Sequence, residues 1–190
     1  MPLKQRYQIT ESEYLKQEQD AIVKHEYLDG CIFSMVGASK NHGRIIRNLL
    51  GKFDLHLTNS PCEPFSSDLK VKAGQNYFYP DVVVDCNPES ETAYFAEQPT
   101  LIIEVTSRST RHRDRSEKLL SYLNIESLQE YVLIDQDIVS IDIFRRSENW
   151  ILRNYALGDK VLFNAINLEL SVEEIYHRVI NEEMNDFLKN

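Results

Sequence analysis

What the chain lacks narrows it first. No apolar run approaches the roughly 20 residues of a membrane helix, and the opening MPLKQRYQIT has no apolar centre of the kind a secretory signal carries. The expectation is a cytoplasmic protein with no membrane partner. Cysteine is scarce: Cys31, Cys62 and Cys86 are odd in number, widely spaced and form no CxxC pair. That spacing argues against a disulfide framework and against a zinc site, so reduced, packed thiols are expected. Repeats, low-complexity tracts and linkers rich in Pro, Gly or Ser are absent too, and residues 1–190 read as a single domain. Positive charge is in deficit: 21 Lys and Arg against 30 Asp and Glu leave a net charge of −9. Such a molecule repels a polyanion as a whole, and nucleic acid could be met only through a local basic patch.

What is present alternates between helix and strand. ITESEYLKQEQ has Thr10 three residues before Glu13, a capping box that starts a helix in an N-terminal arm over residues 1–20. HEYLDGCIFSMV predicts two strands joined by a tight turn at Asp29 and Gly30. From the cap Ser39, Ile45, Ile46, Leu49, Leu50, Phe53 and Leu57 recur at helical spacing. SDLKVK, YPDVVVDC and LIIEVTS then read as strands, the last two apolar enough to be buried on both faces of a sheet. A helix follows in RSEKLLSYLNI, with Leu119, Leu120, Tyr122 and Leu123 expected inside. EYVLIDQDIVSIDIFRR and NWILRNYA give further strands, Trp150 among them as a packed strand residue, and a closing helix is expected over residues 171–190. The fold class is α/β, a mixed sheet flanked by helices.

Two acids break this apolar pattern. Asp81 follows Pro80 at the start of one buried strand, and Glu104 lies near the end of another. An ionised carboxylate held dry is costly, and the cost is relieved by a proton, a cation or a metal ion. A divalent ion shared by both acids would explain why there are two; oxygen ligands without clustered His or Cys favour magnesium or manganese. The plain alternative pairs Glu104 with Arg108 or Lys118 and leaves Asp81 as a strand cap. Asp114, Lys118 and Tyr122 stand four apart, on one line of the following helix, where Asp114 and Lys118 could equally be a surface pair. His42 and His112 have no partner at metal spacing, and His42 reads as a hydrogen-bonding residue at a helix start.

The ordered set PDVVV, IIEVTSRST, then Asp114, Lys118 and Tyr122, then EYVLID resembles the Uma-type family of restriction endonuclease-like proteins, within the PD-(D/E)XK nuclease superfamily. EYLDG with Glu26, His42 and SDLKVK with Asp68 extend the likeness, which runs from about Glu26 to Asp135. The resemblance implies a restriction-endonuclease-like core with additional antiparallel strands, and a divalent-metal-dependent endonuclease hydrolysing DNA. It implies Asp81 and Glu104 as ligands of Mg2+ or Mn2+, Lys118 as the active-site lysine, and Glu26 as a further acid near the metal. One departure stands out: the superfamily usually carries its lysine two residues after the acid, where this chain has Thr106. Arg108, Arg111, Arg113 and Arg115 would engage backbone phosphates, and a homodimer would suit two antiparallel strands. RNA or branched DNA is a less favoured substrate, and a catalytically silent binding module on the same fold is the alternative.

Overall fold

Capping begins the chain as expected. In α1 (Glu11–Gln19) the Glu13 amide donates to Thr10 Oγ1 at 3.2 Å and the Thr10 amide donates to Glu13 Oε2 at 2.8 Å, which satisfies donors at the helix start. The computed structural model describes residues 8–35, 37–87, 94–96, 98–108 and 110–189; residues 1–7 of the expected arm and residue 190 of the closing helix lie outside these. Strands β1 (His25–Leu28) and β2 (Cys31–Ser34) form the expected hairpin, with positive φ at Asp29 (48°) and Gly30 (82°) turning the chain. The Ser39 side chain caps α2 (Lys40–Leu57), whose Ile45, Leu49, Phe53 and Leu57 form the buried stripe.

Eleven further strands follow: β3 (Glu63–Ser66), β4 (Lys70–Ala73), β5 (Asn76–Phe78), β6 (Val82–Asp85), β7 (Phe95–Ala96), β8 (Pro99–Thr106), β9 (Glu130–Asp135), β10 (Ile141–Arg145), β11 (Arg153–Tyr155), β12 (Lys160–Phe163) and β13 (Leu168–Ser171). A six-stranded sheet runs β11-β10-β9-β8-β6-β3, a five-stranded sheet β2-β1-β5-β4-β7, and β12 pairs with β13. In the larger sheet β8 and β9 are parallel and the other pairs antiparallel. A parallel pair needs a crossover, and a helical segment supplies it: α3 (Arg111–Arg113), a π turn (Asp114–Lys118) and α4 (Leu119–Leu123).

Period-two alternation explains why the central strands read as solid apolar runs. Val82, Val84, Leu101, Ile103 and Val105 pack with Ile45, Leu49 and Phe53 of α2. Val83 and Ile102 pack on the other side with Tyr122, Ile125 and Leu128. Glu104 shares the parity of Ile102, so it points toward the crossover helix rather than α2.

Four expectations are corrected. Cys62 and Cys86 are joined as a disulfide, because the β3/β6 register pairs Glu63 with Asp85 and so sets the residues just outside that pair face to face. A separation of 24 in sequence gives no hint of this register, and a bridge of that span removes about 3 kcal/mol of unfolded-state entropy. Cys31 is the buried free thiol. The closing helix is broken into α5 (Val172–Ile175) and α6 (Glu182–Phe187). Between them Arg178 takes φ 64°, the Asn181 side chain caps α6, and Asn41 of α2 holds both the N–H and the C=O of Ile180. Leu120 is 67% exposed, since the π turn swings the residues that follow it around the helix axis. Trp150 lies outside any strand, at φ 59°, under the Arg146 guanidinium.

Candidate active site

At the Thr106 end of β8, Glu104 meets the crossover helix. Lys118 Nζ lies 2.9 Å from Glu104 Oε1, 2.8 Å from Glu26 Oε1 and 3.6 Å from Asp114 Oδ1. Three carboxylates from β8, β1 and the helix therefore share one ammonium. The line of Asp114, Lys118 and Tyr122 is buried throughout, and the Tyr122 hydroxyl donates to Glu104 Oε1 at 3.0 Å. The surface-pair reading of Asp114 is thus replaced by a buried one. Burial first, then the neighbouring acids, raises the Glu104 carboxyl well above the usual glutamate range, although Lys118 opposes this. Asp114 is raised by the same burial. Lys118 loses solvation but is held protonated, its pKa lifted by Glu104, Glu26 and Asp114.

Asp81 is held differently. Its Oδ2 accepts the Val105 amide at 2.7 Å and faces His42 Nε2 at 3.2 Å, so the first turn of α2, the start of β6 and the end of β8 converge on one carboxylate. The sequence placed His42 at a helix start, which holds; the reach of its side chain to Asp81 went unseen. Gln136, whose Oε1 accepts a short hydrogen bond from Ser39 Oγ, was also missed. Glu26, Asp81, Glu104, Lys118, His42 and Gln136 all line one cleft of about 350 Å³. A wider groove of about 690 Å³ beside Leu28 and Leu120 has only Asp29 and Glu117 as titratable carboxylates in its wall and gathers no comparable charge cluster.

The family profile for Uma2, described as "Putative restriction endonuclease", matches residues 11–173. The chain belongs to the Uma2 family. Two relatives come from Synechocystis sp. (strain ATCC 27184 / PCC 6803 / Kazusa). "Uncharacterized protein slr1290" is 38% identical over 173 residues, covering 88% of this chain and 91% of its own. "Uncharacterized protein sll1609" is 34% identical over 151 residues, covering 76% and 85%. The crystal structure of "a putative nuclease belonging to DUF820 from Anabaena variabilis ATCC 29413" matches with a TM-score of 0.78 at 18% identity, over 90% of this chain and 99% of that one, and so shares its fold.

Charge balance bears on whether this Uma2 cleft suits a divalent cation. Glu26, Asp81, Glu104 and Asp114 are between 3% and 8% exposed, and the cations paired within the group are Lys118 and Arg113, the latter 3.0 Å from Glu26 Oε2. Fully ionised, four acids against two cations leave about two negative charges in a place that burial makes hostile to them. Asp81 Oδ1 and Glu104 Oε2 receive no hydrogen bond from a described residue, which leaves each acid one oxygen for a cation. Among the described residues no three acid, imidazole or thiol groups converge closely enough to enclose an ion on their own. Magnesium is commonly held by one or two carboxylates with water and phosphate oxygens completing its shell, so the donor set fits that ion.

Three of the four arginines are ion-paired within the protein. Arg111 pairs with Asp135, Arg113 with Glu26 and Arg115 with Asp142, and each of these acids is buried. Arg113 also lies over the Phe33 ring at 4.0 Å. Arg108 is exposed and makes no ion pair with a described residue.

Proposed function

We propose that the protein is a divalent-metal-dependent endonuclease that hydrolyses phosphodiester bonds of DNA. The observation that carries this reading is the meeting of Asp81, Glu104 and Lys118 in one cleft, from three separate elements, where four buried carboxyl groups stand against two paired cations among the described residues. Asp81 and Glu104 would hold Mg2+ or Mn2+, which supplies Lewis acidity toward a phosphate oxygen and a more acidic water.

The chain's own groups do the remaining work. The Val105 amide and His42 fix Oδ2 of Asp81, and the Tyr122 hydroxyl fixes Oε1 of Glu104. Burial and the adjacent Glu104 raise the Tyr122 phenol, so it remains a proton donor in that bond. Lys118 keeps its proton at neutral pH and offers positive charge where the transition state gathers negative charge on phosphate oxygens. Glu26, held by both Lys118 and Arg113, orients that ammonium. The lysine thus reaches the strand acids from the crossover helix, and Thr106, at the usual lysine position, is buried with its carbonyl accepting the Gln136 amide at 3.1 Å. Arg108, next in sequence to the cleft residue Ser107, would meet a backbone phosphate. A twofold pair of chains would suit cutting both strands.

The rival reading is a silent binding module. One observation favours it: Lys118 already stands against Glu104, Glu26 and Asp114, which a module with no need of metal would also show. Supercoiled plasmid incubated with Mg2+ or Mn2+ separates the two. The nuclease reading expects nicked and linear product that disappears with chelator and with Asp81→Ala; intact plasmid in every metal, or cleavage that survives Asp81→Ala, contradicts it.

A further inference from the structure

Three of the four arginines expected to meet phosphates are tied to buried acids, and moving any of them to a ligand would take a cation from a carboxylate held away from water. Beside the exposed Arg108, two further cations free to change partners stand around Tyr79. This residue lines the cleft, its ring almost covered, and its amide donates to Glu26 Oε1 at 3.3 Å. Lys24 Nζ stands 5.6 Å and Lys70 Nζ 5.4 Å from the centre of the Tyr79 ring. Lys24 also donates to the carbonyl of Ser67, another cleft residue, at 3.0 Å. Its acid partner Asp68 is 82% exposed, so that pair is screened by water and readily exchanged for another anion. Lys70 makes no ion pair with a described residue; its ammonium donates to the Tyr79 hydroxyl at 3.4 Å. Half-burial lowers its pKa, the mark of a cation whose lost hydration is poorly replaced and which gains from an incoming anion.

We infer that Lys24 and Lys70, set around Tyr79 on the rim of the cleft, grip nucleic-acid backbone phosphates beside the scissile one, while Arg111, Arg113 and Arg115 brace the lysine-bearing helix and touch no phosphate. The inference rests on the nuclease reading for its ligand and adds where that ligand is held. Placement supports it: Tyr79 is two residues before Asp81, so a strand held on these ammoniums passes directly to the acids. The distribution of charge supports it as well, since a chain of net charge −9 needs exchangeable cations close to the cleft to draw in a polyanion.

The test is a salt series of duplex DNA binding by fluorescence anisotropy, in chelator so that nothing is cut. Each phosphate contact contributes about 0.9 to the slope of log affinity against log salt on B-form DNA. The Lys24→Gln/Lys70→Gln variant, which keeps much of each aliphatic stem over the ring, is expected to lose about 1.8 of that slope. Lys24→Arg/Lys70→Arg is expected to restore it, and Arg111→Gln to keep the wild-type slope. A wild-type slope in the Lys-to-Gln variant overturns the inference, as does a slope lowered by Arg111→Gln alone. Wild-type protein that cuts plasmid while the Lys-to-Gln variant binds normally removes this rim and leaves the nuclease reading standing; wild-type protein that neither binds nor cuts removes both.

Discussion

Asp81 and Glu104 share a cleft and are held in opposite ways. Asp81 is set by geometry: a backbone amide from β8 and an imidazole from α2 fix one oxygen, and among the described residues no ammonium or guanidinium lies within ion-pair distance of it. Glu104 is set by charge: an ammonium and a phenol share Oε1, and three further acids act on it through a dry environment. The difference teaches where the site is robust. Removing one donor near Asp81 loosens one side chain, whereas removing the ammonium near Glu104 unbalances several at once.

The largest effect should come from Lys118. Lys118→Met leaves Glu104, Glu26 and Asp114 without their common cation, and breaking a buried pair from one side costs about 3–5 kcal/mol. The expected outcome is loss of cleavage together with a lower urea midpoint; a midpoint like wild type would break the contrast. Tyr122→Phe and His42→Ala each remove one orienting hydrogen bond from an acid proposed to hold metal. Both are expected to weaken metal affinity by about 10- to 100-fold, measured by Mn2+ titration. The stability cost of either is about 1 kcal/mol from the hydrogen bond, with Tyr122→Phe the larger because the ring is fully buried.

A subtler test uses pH. Glu104 and Asp114 have carboxyls raised by burial above the ordinary values of 4.5 and 3.8, so both favour the protonated form in the folded state. Their contribution is fully present below those ordinary values and is lost as pH rises through the raised ones. Metal-free protein should therefore lose stability as pH climbs from about 4 toward neutrality, and saturating Mg2+ should suppress that loss. Glu104→Gln should flatten the metal-free profile. Urea midpoints across pH supply the measurement, and a Glu104→Gln profile as steep as wild type would contradict the assignment to Glu104.

Local features of the fold were legible in the sequence. The Asp29-Gly30 turn, the Thr10 and Ser39 caps and the two buried strands follow from short-range chemistry that neighbouring residues state by themselves. Asp81 and Glu104 stood out because acids are costly in apolar strands, and Lys118 because it repeats with Asp114 and Tyr122 along one helix face. What escaped depended on distant register. Cys62 meets Cys86 only through strand pairing, His42 meets Asp81 across 39 positions, and Asn41 halts the closing helix from the other end of the chain. The outward turn of Leu120 depends on a π turn that helical periodicity does not anticipate.

Calorimetric titration of metal-free protein with Mg2+ and Mn2+, in wild type beside Asp81→Asn and Glu104→Gln, addresses the cleft's unbalanced charge most directly. The account predicts saturable binding to wild type that tightens as pH rises and is lost in both variants. Equal affinity in all three proteins, or no binding to wild type at any pH, would contradict it.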